Sequence, residues 1–183
     1  MVLLGWDMAN DERAQCVDET HTVTTVPLYR LYNPPAEDHF YTTDALERQR
    51  FLAQGNYHSE GTIAWIYSEM RSGTKPLYRL YDGTDHFYTT SVEEIERAFA
   101  QGYRSEGQIG FVLSSQESNT VPLYRLRHPQ TGDHFYTISG AEATASTKVG
   151  FVREGIVGYV YATAPLQPVT AKGGPKGRGE EKN

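Results

Sequence analysis

Three short clusters in this chain hold the residue types that recognise hydroxyl groups. The string "DHFYT" occurs at 38–42, 85–89 and 133–137, each time behind "PLYRL". Asp38, Asp85 and Asp133 are followed by His39, His86 and His134, and Tyr41, Tyr88 and Tyr136 lie two residues further on. In an extended strand that spacing puts imidazole and phenol on one face. A carboxylate and an imidazole bond hydroxyls, and an aromatic ring packs on the apolar face of a sugar. Tyr32, Tyr81 and Trp65 are further contact aromatics, placed by their position on neighbouring strands.

Other chemistries fit the same residues less well. Three histidines related by a threefold axis would suit a zinc ion, but local i, i+2 or i, i+4 ligand pairs are missing. Asp38 with Glu60 resembles a general acid/base pair, yet an enzyme normally has one asymmetric cleft rather than three copies of it. There is no glycine-rich phosphate loop, serine elbow or HExxH. Cys16 lies among carboxylates, which raise rather than lower a thiol pKa. No cofactor or metal is expected. A structural role competes with the sugar reading. Arg30, Arg79 and Arg125 with Glu60, Glu106 and Glu154 also recur, and such pairs can fix the register between repeats. Asp before a strand often ties down its own turn.

The elements that position these residues come in triplicate. The repeats span 27–75, 76–121 and 122–164. Each opens with "LYRL", which alternates as a strand does. This puts Tyr29 and Leu31 on one face and Leu28, Arg30 and Tyr32 on the other. A turn and "HFYT" complete a hairpin. A short helix follows, with Asp44, Ser91 or Ser139 as N-cap and Glu47, Glu94 or Glu142 three residues later, a capping box. Gly55, Gly102 and Gly150 stop the helices, and the third, rich in Gly and Thr, is expected to be short or frayed. A closing strand carries Trp65, Phe111 or Tyr159 beside Ala64, Gly110 or Gly158, a pattern that predicts close backbone approach or a bulge. Tyr29, Tyr78, Tyr124, Phe40, Phe87 and Phe135 are assigned to the core.

A strand–strand–helix–strand unit of this size cannot bury its apolar face alone, so three must lean on one another. The expected fold is mainly β with short helices, in a pseudo-threefold closed ring like a three-bladed propeller. The alternative is a β-trefoil, against which the helix in every repeat counts. Residues 1–25 fit no repeat, and "HTVTTV" is expected to supply a closing strand against the last one. The domain is 26–164. The tail 165–183, rich in Gly, Pro and charge, is expected to be disordered.

Bulk properties narrow the classes. The 183 residues carry a net charge of −6 with a pI near 5.5, unlike the basic stripe of a nucleic-acid binder. One cysteine allows no intrachain disulfide. No apolar run is long enough to span a bilayer, and "MVLLGW" makes a poor signal peptide. A soluble protein without membrane insertion is expected, its compartment open.

The units "PLYRLYN…DHFYTT…E…GY…EGI.GYVY" resemble a family of repeat domains found in fungal proteins and appended to secreted bacterial proteins, mostly catalogued as a domain of unknown function. The resemblance covers roughly residues 26–162. It implies a repeat fold attached to extracellular or cell-surface machinery and transfers no catalytic residue. The third repeat departs from the pattern with Arg127-His128 where the first has Tyr32-Asn33. The expected function is non-enzymatic, lectin-like binding of glycans or glycoproteins, with up to three sites. The alternative is a structural or protein-interaction module.

Overall fold

The hairpin, helix and closing strand expected in each repeat form as the local sequence dictates. The computed structural model describes residues 24–165. The first repeat holds β1 (Thr25–Asn33), β2 (Asp38–Thr42), α1 (Ala45–Ala53) and β3 (His58–Tyr67). The second holds β4 (Thr74–Tyr81), β5 (His86–Thr89), α2 (Val92–Ala100) and β6 (Arg104–Leu113). The third holds β7 (Thr120–Arg127), β8 (His134–Thr137), α3 (Gly140–Thr147) and β9 (Val152–Tyr161). The N-cap side chains of Asp44, Ser91 and Ser139 accept from the amides of Glu47, Glu94 and Glu142. The glutamates do not complete the capping box. Thr42, Thr89 and Thr137 bond the N-cap amides instead, which frees each glutamate for another partner.

The strands form one mainly antiparallel sheet. In each repeat the first strand is central, flanked by the second and the third. The hydrogen-bonded order β2-β1-β3-β6-β9-β7-β8, with β4 and β5 branching from β6, is open. Neither propeller nor trefoil closure follows from it. The repeats touch as strands only where β3, β6 and β9 meet, through Tyr67 and Phe111, Trp65 and Tyr161, and Leu113 and Tyr159. Thr25 opens β1 against Tyr67 of the first repeat's own β3, not against the last repeat. The rest of "HTVTTV" ahead of Thr24, Cys16 and the tail from 166 onward lie outside the described residues.

The two faces of each central strand divide the core as the alternation predicts. Leu28, Leu77 and Leu123 converge with Tyr41, Tyr88 and Tyr136 in a shared central cluster. On the opposite face, Leu80 and Phe87 pack with α2, and Leu126 and Phe135 with α3, with Tyr78 and Tyr124 partly buried beside them. A fourth cluster surrounds the meeting point of β3, β6 and β9: Tyr67, Phe111, Leu113 and Tyr161, flanked by Trp65 and Tyr159.

That meeting point explains the small residues beside the aromatics. A Cβ on Gly110 would lie 2.6 Å from Ile66 Cδ1 and 2.9 Å from the carbonyl oxygen of Tyr67. On Gly158 it would lie 2.5 Å from Val112 Cγ2 and 3.0 Å from the Leu113 oxygen. Gly158→Ala is therefore expected to destabilise the fold by about 1–3 kcal/mol. Gly140→Ala, in open space in the first turn of α3, should be neutral or stabilising by up to about 1 kcal/mol. Urea unfolding of the two variants checks the contrast.

Candidate functional site

The repeated polar residues gather where the repeats meet, on the outer edges of β2, β5 and β8. An edge strand leaves every second N–H and C=O without a strand partner. Here neighbouring repeats seal them with side chains. Asp38 Oδ1 accepts from the backbone amide of His86 at 3.0 Å, Asp85 from His134 at 2.9 Å, and Asp133 from His39 at 2.9 Å. The second carboxylate oxygen lies 2.6–2.7 Å from Nδ1 of the same histidine. An ionised carboxylate only accepts, so Nδ1 carries the hydrogen and donates. Each aspartate thus reaches forward, first repeat to second, second to third, third to first.

The tyrosines run the opposite way. The Tyr88 hydroxyl accepts from the Tyr41 amide at 2.7 Å and donates to the Tyr41 carbonyl at 2.8 Å. Tyr136 does the same to Tyr88, and Tyr41 to Tyr136. The three rings meet edge-on with centroids 5.3–5.4 Å apart. Burial pushes all three phenols well above their ordinary pKa. Two counter-directed cycles therefore hold each edge strand from both neighbours.

A third cycle joins helix to sheet. Glu47 accepts two hydrogen bonds from Arg79, at 2.8 and 2.9 Å. Glu94 grips Arg125 and Glu142 grips Arg30 in the same bidentate way. Thr42, Thr89 and Thr137 also donate to these glutamates. The arginine Nε lies 2.7–2.8 Å from Glu60, Glu106 or Glu154 within its own repeat. Each guanidinium rests over a phenylalanine of the preceding repeat: Arg30 over Phe135, Arg79 over Phe40, Arg125 over Phe87. The hydrogen bonds from Arg125 hold the Glu94 carboxyl down to about 2, against opposition from burial. Burial pushes Glu47 and Glu142 upward, but their bonds to Arg79 and Arg30 and to threonine leave both below the ordinary range.

The expected contact residues are therefore mostly interior. Asp38, Asp85 and Asp133 are at most 3 % exposed, and a ligand cannot reach them without opening a junction. Their partner is the next repeat rather than their own turn. In the second repeat Asp82 ties the turn, accepting from Thr84 and Asp85. Tyr41, Tyr88 and Tyr136 are core residues with their hydroxyls spent, which corrects their assignment as ligand contacts. His86 and His134 are buried as well, and His39 nearly so. Tyr32 and Tyr81 are half-buried and stack on His39 and His86 at 4.5 and 4.2 Å. Trp65 stands apart. It pairs with Pro27, whereas His39 pairs with Tyr32, five residues or roughly 17 Å along β1.

The potential ligand atoms that converge belong to the aspartates, not the histidines. The three histidines spend Nδ1 on aspartate, with Nε2 facing Glu60, Glu106 or Glu154 at 3.8 Å. The aspartates instead offer oxygens within 4.8 Å of one another. Those oxygens already take the bonds described above, and Asp38 and Asp85 also accept from Tyr57 and Tyr103. The helix glutamates are the residues that sequence reasoning assigned only to capping. Their recurrence at the same place in every repeat, alongside the repeated arginines, was the available signal.

Fold and site together define a β-rich domain built from an internal repeat, interlocked through its repeated polar residues. The chain belongs to the family described as a domain of unknown function (DUF5648), which matches residues 1–113 and, in a second overlapping segment, 82–171. The overlap agrees with the internal repeat. No curated protein and no solved structure matches the chain. No helix among the described residues is long and apolar enough to cross a membrane.

Tyr88→Phe is expected to strand the amide and carbonyl of Tyr41, costing about 1–3 kcal/mol for each group left unpaired. Combined with Tyr41→Phe, it should deviate from additivity by more than 0.5 kcal/mol, roughly the limit for independent sites. Urea unfolding measures both. The depressed Glu94 carboxyl adds a pH dependence. Its ionised form stabilises the fold fully above the ordinary 4.5, and that contribution disappears as pH falls through about 2. The urea midpoint should therefore drop between pH 4.5 and 2, and less steeply in Glu94→Gln.

Proposed function

We propose that the protein is a non-enzymatic, lectin-like carbohydrate-binding module. In this proposal the three repeats stand propeller-like about a pseudo-threefold axis and bind glycans or glycoproteins at the junctions between them. The observation that carries the reading is the carboxylate of Glu60, Glu106 and Glu154. Each side chain is 29–34 % exposed, far more than the aspartates. One oxygen is held by the arginine Nε and lies 3.8 Å from the histidine Nε2. The other takes no hydrogen bond among the described residues. A gap of 3.8 Å is too wide for a direct hydrogen bond and suits a bridging hydroxyl or water. Tyr32 and Tyr81, stacked on the same histidines, supply aromatic surface at two of the junctions. Weak sites repeated on one rigid body gain strength on a multivalent surface.

A second reading, a structural or protein-interaction module without a small ligand, is favoured by the internal use of the repeated Asp, His and Tyr. A glycan array separates the two. The lectin reading expects hits and cell agglutination that a simple sugar reverses. It also expects Glu106→Gln and Tyr81→Ala to weaken an array hit about tenfold, the scale of one charged hydrogen bond, without lowering the melting temperature by more than a few degrees. A blank array at high protein concentration would leave the second reading standing.

A further inference from the structure

The three junctions are alike in their interlocks and unlike in what they expose. Between the second and third repeats lie two adjoining cavities of about 200 and 260 Å³ that share Glu94, Arg97, Arg125 and Glu154 as walls. Both are smaller than the roughly 300–1,000 Å³ of drug-sized pockets, so each admits a single ring-sized group. The first cavity is floored by Phe87 and Ala98 and edged by Tyr103, His134 and Arg127.

The charge in this groove is unbalanced. Arg125 is paired with both Glu94 and Glu154, so with Arg97 and Arg127 the walls carry one net positive charge. Arg97 and Arg127 are exposed, and neither side chain makes a hydrogen bond or ion pair among the described residues. Two free guanidiniums on a chain of net charge −6 are an exception to its overall acidity. The other junctions lack the pair. The residues aligned with Arg97 and Arg127 are Arg50 and Tyr81 at the first junction, and Ala145 and Tyr32 at the junction back to the first repeat. The floor differs too. Where Ala98 leaves room, the first repeat has Phe51, stacked on Phe40 at 3.9 Å. Tyr32 and Tyr81 stack on the histidines they pair with, whereas the third repeat puts Arg127 opposite His134.

We infer that the groove between the second and third repeats is a single binding site for a carboxylated sugar, with Arg97 and Arg127 holding the carboxylate and the Phe87–Ala98 floor beneath the ring. This rests on the carbohydrate-binding reading and adds its ligand class. Arginine is suited to the role because its planar fork matches a carboxylate in bidentate fashion, and both heads are free to do so. Glu154, with one free oxygen at the same groove, would accept from a ring hydroxyl.

The test is an NMR titration of the full chain with sodium glucuronate, against glucose as the neutral counterpart and sodium sulfate at matched ionic strength. The expected result is saturable shifts confined to the groove, one site per chain, with glucose at least tenfold weaker. Arg127→Tyr and Arg97→Ala install the residue types found in other repeats, so both should fold. Each should raise the glucuronate Kd at least tenfold, and Arg127→Lys, which keeps the charge but not the fork, should fall between. The inference is overturned by no response to glucuronate, by an unchanged Kd in both substitutions, or by equal shifts with sulfate, which would mean an adventitious ion only. Array hits on neutral glycans without glucuronate binding would remove this inference and leave the lectin reading. Glucuronate binding that depends on both arginines, beside an otherwise blank array, would support the acidic site and remove the three-site reading.

Discussion

The constraint on which the rest depends is the unpaired edge of each repeat. A three-stranded sheet ending in a strand as short as "HFYT" exposes amides and carbonyls that must find partners once buried. They cannot be met by a fourth strand, because the neighbouring repeat approaches with side chains rather than backbone. Asp, His and Tyr at fixed offsets solve the problem. A carboxylate meets one amide and the imidazole beside it, and a phenol meets the next amide and carbonyl. The requirement is geometric, so the same residue types recur at every junction. That accounts for the three identical pentapeptides without a ligand.

The arginine–glutamate pairs serve a different end. They tie each helix to the sheet of the following repeat, with the guanidinium face on a phenylalanine and its edge on two carboxylates. Such a group is costly to bury unless every donor is answered. Here the capping glutamate is released from its usual bond because a threonine has taken over the N-cap amide. Helix start, edge strand and junction are thus coupled through one side chain. The third repeat loosens this arrangement at two points. Ile138 replaces Thr43 and Thr90, whose hydroxyls bond Ile109 and Val157 of the next repeat. Phe151 replaces Tyr57 and Tyr103, so among the described residues Asp133 lacks the phenol bond that Asp38 and Asp85 receive.

Much of this was legible in the sequence, and the boundary has a physical cause. The hairpins, the N-caps and the glycines ending the helices are local matters, set within a few residues; the small residues beside Phe111 and Tyr159 signalled tight packing but not that Ile66 and Val112 of another repeat supply it. Alternation along "LYRL" correctly divided Leu28 from Tyr29 and Leu31. The destination of Asp38 was not legible, because its partner His86 is 48 residues away and belongs to another copy of the same motif. A residue in "DHFYT" cannot reveal which of three identical strings it touches. The same ambiguity hid Glu47 and its equivalents behind a capping role. It also made buried tyrosines look like binding residues, since the pattern that seals an edge and the pattern that cradles a sugar use the same side chains.

The bonds that run from the third repeat back to the first are of the same kind as those joining the first to the second. Apart from the bonds lost at Ile138 and Phe151, the interlock treats the closing junction like the other two. The linkers after β3 and β6 keep the parts at high local concentration and are themselves joined by the Arg71–Glu117 ion pair. Three separate copies of one such unit would carry every complementary surface needed to assemble as a homotrimer. The covalent chain adds to that assembly the freedom for its three subunits to diverge.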